Sequence, residues 1–125
     1  MDGLSILLIR LGYDIQEIGA FAKSDLIQPG FFFTDEEVAN IKSVNHSISR
    51  MAGYFSAKEA FYKAVDLPFL WYWPDAEIIY GDRGRPLFRF SKHIHEYLEF
   101  NNIEIDLAIS HSGSYAAATV IVFTG

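Results

Sequence analysis

Hydrophobic and polar positions change rhythm several times along the chain, and each change marks an element. Leu4–Ile15 is dense in Leu and Ile and predicts a buried strand ending at Gly12-Tyr13-Asp14. A short helix is expected over Glu17–Asp25, before the breaker Pro29-Gly30. Thr34-Asp35-Glu36-Glu37 has the form of a capping box, Thr34 as N-cap and Glu37 three residues on, so a helix should run from there to about Ser43. The longest helical segment is Ser47–Val65. Ile48, Ala52, Phe55, Glu59 and Tyr62 recur at steps of four and three, forming one stripe expected to face the core, and Pro68 ends the run.

The second half alternates differently. Ala76–Tyr80 and Leu87–Phe90 read as strands joined by the turn Gly81-Asp82-Arg83-Gly84-Arg85-Pro86. Ser91 can cap a helix reaching Phe100, with Asn101-Asn102 as its stop. Ile103–Ile109 and Tyr115–Phe123 complete the strands, linked by Ser110-His111-Ser112-Gly113-Ser114. Two adjacent strand pairs of this kind predict an α+β fold, a mostly antiparallel sheet packed against one long helix and shorter ones.

Length adds that residues 1–125 should form a single domain, and a half-hydrophobic, 16% aromatic composition supplies its core. The absence of cysteine excludes disulfides, thiolate metal sites and cysteine nucleophiles. A net charge of −6 argues against nucleic acid and anionic membranes as partners. No stretch reads as a membrane helix, and Met1-Asp2 lacks the basic start of a secretory signal, so a cytoplasmic location is expected. The positive charges nevertheless bunch, Lys58 with Lys63 and Arg83, Arg85, Arg89 with Lys92, as an anion site would require.

Three segments carry candidate chemistry. Asp14 stands where a strand should end and project a side chain into a crevice, with Gly12 permitting close approach of backbone or ligand. Glu59 falls on the apolar stripe, where a carboxylate is costly unless paired or metal-bound, and Lys63 lies one turn on. A helix salt bridge explains that pair equally well. Ser110, His111 and Ser112 leave a strand opposite the Gly84-Arg85-Pro86 hairpin, and hydroxyl, imidazole and guanidinium groups all suit phosphate oxygens. Neither G-x-G-x-x-G nor G-x-x-x-x-G-K-[ST] occurs, so no dinucleotide fold or P-loop is indicated.

In order and separation these segments resemble the holo-acyl carrier protein synthase family of 4′-phosphopantetheinyl transferases. Gly12, Asp14 and Glu17 match its G-x-D-x-x-E strand end. Ala52–Ala64 matches its A-G-R-F-A-A-K-E-A-F-x-K-A helix. Asp75-Ala76-Glu77-Ile78, Arg83-Gly84-Arg85-Pro86, Ala108-Ile109-Ser110-His111-Ser112 and Tyr115–Val120 follow the remaining pattern. The resemblance implies transfer of 4′-phosphopantetheine from coenzyme A to a serine of an apo acyl carrier protein or related carrier domain, with release of 3′,5′-ADP. It implies Mg²⁺ held by Asp14 and Glu59, with Lys63 at the pyrophosphate or leaving group, and with Glu59 or a metal-bound water as proton acceptor. Lys58, Lys63, Gly84, Arg85, Pro86, Ser110, His111 and Ser112 would contact coenzyme A, and members of this length resemble homotrimers with the active site between subunits.

The chain departs from the pattern in three places. Tyr54 replaces the arginine of A-G-R-F, Val65-Asp66-Leu67-Pro68 replaces a glycine-rich turn, and no basic residue follows the first motif before Lys23. These departures leave open an alternative, a non-catalytic coenzyme A-binding protein or synthase partner on the same scaffold.

Overall fold

The computed structural model describes residues 7–22 and 31–124. The expected strand start at Leu4 and the C-terminal part of the first short helix lie outside them, as does the Pro29-Gly30 breaker. Five strands and three α-helices follow in the order β1 (Leu7–Glu17), α1 (Asp35–Lys42), α2 (Ser47–Ala64), β2 (Ala76–Tyr80), β3 (Pro86–Phe90), α3 (Lys92–Phe100), β4 (Ile103–Ser112) and β5 (Tyr115–Thr124). In the described part of the short helix expected over Glu17–Asp25, the chain forms a 3₁₀ turn, Ile18–Phe21.

The strands make two antiparallel sheets, β1-β5-β4 and the hairpin β2-β3. In the larger sheet Asp14, Ala118 and Ile109 lie in one row, as do Gly12, Val120 and Leu107. The fold class is therefore α+β with wholly antiparallel pairing among the described residues. The connection into β5 is shorter than expected, because β4 keeps its pairing through Ser112 and leaves only Gly113-Ser114 to turn. Gly113 takes φ 57°, the left-handed conformation such a two-residue turn needs.

Helix α2 runs between the two sheets, and this revises the stripe read from the sequence. Two rows of α2 are buried. Gly53, Ser56, Ala60 and Ala64 are small and let the helix approach the large sheet, while Tyr54, Lys58 and Phe61 fill the opposite side. Phe61 packs on Phe88 and Phe90 of β3 at centroid distances of 5.2 and 5.0 Å. The expected row Ile48-Ala52-Phe55-Glu59-Tyr62 is instead the flank, buried at Ala52 and open at Tyr62. The two rows meet at the fully buried Ala57, so the buried side is wide, and periodicity chose the more open side across from it.

Strand β1 also differs from the expectation of a buried strand. Only Gly12 and Asp14 are buried; Leu11, Tyr13 and Ile15 are more than half exposed on the other face of the sheet. The capping box of α1 forms as expected, Glu37 N–H donating to Thr34 Oγ1 and Thr34 N–H to Glu37 Oε1. Ser91 precedes α3 but its hydroxyl meets His93 Nδ1 at 3.2 Å rather than capping the helix.

Candidate functional site

Asp14 does not sit at a strand end. It lies inside β1, and the two-residue pleat turns it, with Gly12 and Gln16, toward α2. Gly12 makes the crevice: a Cβ there would overlap the carbonyl oxygen of Ala60 and lie 2.9 Å from the Ala64 side chain. The strand can therefore press against the last turns of α2. That brings Asp14 onto Lys63, whose Nζ donates to Asp14 Oδ1 at 2.9 Å and to the Tyr13 carbonyl at 3.1 Å. Asp14 Oδ2 accepts from Gln16 Nε2 at 2.8 Å. Lys63 is half exposed and Asp14 is 8% exposed, so the cation faces solvent over a shielded carboxylate.

Glu59 joins this pair from the preceding turn of α2. Its carboxyl is held above the ordinary carboxylate range, first by burial and then by the charge of Asp14, with Lys63 opposing both. Glu59 and Lys63, one turn apart on α2, thus set a second carboxylate beside the Asp14–Lys63 pair. No group of three or more His, Cys, Asp or Glu placed to hold a metal occurs among the described residues. The two carboxylates suit a hard divalent cation that takes one or two protein carboxylates and completes its shell from water or phosphate oxygens.

Lys58, expected beside a nucleotide, is elsewhere. It is completely buried on the far side of α2, with Nζ donating to Glu37 Oε1 at 2.8 Å, the Trp73 carbonyl at 3.0 Å and the Phe32 carbonyl at 3.2 Å. All three ammonium hydrogens are used, so Lys58 ties α1, the Phe32-Phe33 segment and the Trp73 turn to α2 and offers nothing to a ligand. Helical geometry separates it from Glu59 by a rotation of about 100°, which adjacency in the motif conceals.

The remaining candidates divide between two surfaces. His111 points from β4 toward α2, its Nε2 3.1 Å from the Ser49 carbonyl. With Pro86, Ile109 and Tyr80 it lines a cavity of about 390 Å³ that also takes in Arg50 and Tyr54. Ser110 and Ser112 alternate with His111 and so project to the opposite face of the sheet. Arg85 is engaged by Asp106, Nη2 lying 3.1 Å from each carboxylate oxygen, and Gly84 holds the turn at φ 70°. None of Asp14, Glu59 and Lys63 lines the His111 cavity.

Sequence reasoning passed over Gln16, Arg50 and Tyr80. Gln16 could have been found from its two-residue spacing after Asp14. Arg50 lies one turn before Tyr54 on the same side of the helix, with its guanidinium 5.3 Å over the Tyr80 ring. The Tyr54 hydroxyl lies 2.9 Å from that of Tyr80, and burial pushes the Tyr54 phenol far above its usual range, so it remains neutral.

The chain is similar to proteins of known sequence and structure. The 4′-phosphopantetheinyl transferase superfamily matches residues 10–120. The holo-[acyl-carrier-protein] synthase of Fusobacterium nucleatum is 34% identical over 122 residues, covering 93% of this chain and 99% of the relative. The Bacillus anthracis holo-(acyl-carrier-protein) synthase, solved in complex with CoA (3′,5′-ADP), superposes with a TM-score of 0.76 at 27% identity over 95% of this chain and 99% of that one. A Chronobacterium ammoniagenes synthase–CoA complex gives 0.72 at 26% identity, over 94% and 96%. The chain belongs to the 4′-phosphopantetheinyl transferase superfamily, in its holo-acyl carrier protein synthase branch.

Proposed function

We propose that this chain, acting as one domain over residues 1–125, moves the 4′-phosphopantetheine group of coenzyme A onto a serine of an apo carrier protein, with Mg²⁺ and release of 3′,5′-ADP. The convergence of Asp14, Glu59 and Lys63 at the β1–α2 contact carries the reading. Asp14 and Glu59 would hold the Mg²⁺, which when bound neutralises charge on the transferred phosphoryl group. Lys63, half exposed and hinged on a four-carbon stem, exchanges Asp14 for a pyrophosphate oxygen and offsets the charge that develops on the leaving ADP. Glu59, with its raised proton affinity, takes the serine proton as the serine oxygen attacks phosphorus and the bond to the 5′-phosphate of ADP breaks.

The working unit of this reading is a homotrimer in the cytoplasm, with each site closed by a neighbouring subunit. Two features support it. Leu11, Tyr13 and Ile15 leave an apolar strand surface exposed on the large sheet. The His111 cavity stands apart from the carboxylates of its own chain, so His111 and Pro86 would reach a nucleotide held by the next subunit. Ser110, Ser112 and Arg85, turned outward, would contact phosphates only across such a boundary.

The test is a transfer assay with coenzyme A, Mg²⁺ and a panel of apo carriers, read by mass. A carrier gaining phosphopantetheine, with the gain lost in Asp14→Ala, Glu59→Ala and metal-free reactions, is the expected result. Failure on every carrier by a folded wild-type protein overturns the reading.

A further inference from the structure

Glu59 stands between two aromatic residues on its own flank of α2, Phe55 one turn before and Tyr62 one turn after. Their rings are joined by an arc through other elements. Phe55 stacks on Phe32 at 4.8 Å, Phe32 lies 4.8 Å from Trp73, and Trp73 meets Tyr62 at 5.6 Å and Trp71 at 5.8 Å. The arc opens into a groove of about 280 Å³ lined by Tyr62, Phe69, Leu70, Trp71, Tyr72 and Trp73, without one charged side chain. Leu70 is 75% exposed, Tyr72 65% and Tyr62 58%, so this apolar surface is open to solvent rather than spent on the core.

The groove is also fixed in shape. The Trp73 carbonyl accepts from buried Lys58, Asp75 Oδ2 accepts from the Tyr72 N–H at 2.8 Å, and the Asp75 N–H donates to the Tyr72 carbonyl at 2.9 Å. Such a preformed aromatic channel, next to charged groups and itself uncharged, matches a ligand with a charged end and a neutral arm.

We infer that this groove binds the pantetheine arm of coenzyme A, the group being transferred. The inference rests on the transferase reading above. In that molecule the phosphate is followed by a methylene and a quaternary carbon bearing two methyl groups, an apolar stretch separated from the first amide by one hydroxyl-bearing carbon. With the phosphate at Asp14, Glu59 and Lys63, Tyr62 lies one helical turn away, about 5–6 Å between Cβ atoms of such neighbours. Its ring meets the two methyl groups. The amides continue between Trp71 and Tyr72, and the thiol end emerges at Leu70. The aromatic run Phe69–Trp73, which follows the segment replacing the family's glycine-rich turn, thus sets how tightly the arm is held.

Calorimetric titration of coenzyme A and of 3′,5′-ADP, which lacks the arm, separates the possibilities. Tyr62→Ser and Leu70→Ser alter exposed positions, and their folding is checked by circular dichroism. Each should weaken coenzyme A binding about tenfold and leave 3′,5′-ADP binding unchanged. Equal losses for both ligands would place the adenine in the groove and overturn the inference. Unchanged binding of both, with a raised KM for the carrier alone, would make it a carrier surface and overturn it as well. A wild-type chain that binds both ligands but never transfers leaves the groove standing and defeats only the enzymatic reading; one that binds neither defeats both.

Discussion

Lys58 and Glu59 are neighbours in sequence and opposites in environment. Lys58 donates three hydrogen bonds in the interior, and Glu37 answers with bonds from Lys58, the Thr34 N–H and the Ile78 N–H. Burial pushes Glu37 up and Lys58 down, yet every partner of Glu37 is a donor and every partner of Lys58 an acceptor, so the pair stays ionised. Lys58→Met should therefore cost about 3–5 kcal/mol by leaving a buried carboxylate uncompensated, measured by urea unfolding, and adding Glu37→Gln should recover much of that loss. Glu59 is the reverse case, a site residue that the fold would be steadier without. Its folded pKa lies above the unfolded value, so its contribution to stability is present below the unfolded carboxylate pKa and lost as pH rises through the folded one. Glu59→Gln should raise the melting temperature at neutral pH, with the gain vanishing in acid, while transfer falls about 100-fold or more. Melting curves across a pH series, paired with the transfer assay, check both halves.

At the scale of elements, the contact between β1 and α2 decides whether the site exists. Gly12→Ala should cost about 3 kcal/mol, because the new methyl meets backbone at Ala60 rather than a movable side chain. Any folded fraction should have Asp14 displaced from Lys63, read as a loss of Mg²⁺-dependent activity larger than the loss of folded protein. Much of this layer was legible in advance. The capping box at Thr34, the extent of α2, the β2-β3 hairpin and the β4-β5 pair all follow from local patterns that tertiary packing did not override. Of the candidate site, the sequence made legible Asp14, Glu59 and Lys63, because a motif carried their order. What periodicity missed were relations between elements. It took the flank of a doubly packed helix for its core face, it took β1 for a buried strand, and it grouped Ser110, His111 and Ser112 although the pleat divides them. Lys58 was misplaced for the same reason, since sequence adjacency carries no sense of rotation about a helix.

For the whole molecule, the exposed apolar face of the large sheet is the feature that a lone subunit leaves unresolved. Ile15 is 53% exposed at its middle, beside Leu11 and Tyr13. If the proposed trimer forms through this face, Ile15→Glu should leave the 14.2 kDa chain folded and monomeric by light scattering, in contrast to the wild type. Transfer should be lost with it, although the Ile15 side chain points away from the face that carries Asp14.

The alternation along β1 gives that link its force. Tyr13 and Ile15 point one way and Asp14, between them, the other, so in the proposed trimer consecutive residues of one strand would serve assembly and chemistry. A subunit that separates from its fellows frees the strand segment on which the acidic side chain is mounted. Specific activity should accordingly fall on dilution, below the concentration at which the subunits part, and return when the solution is concentrated again.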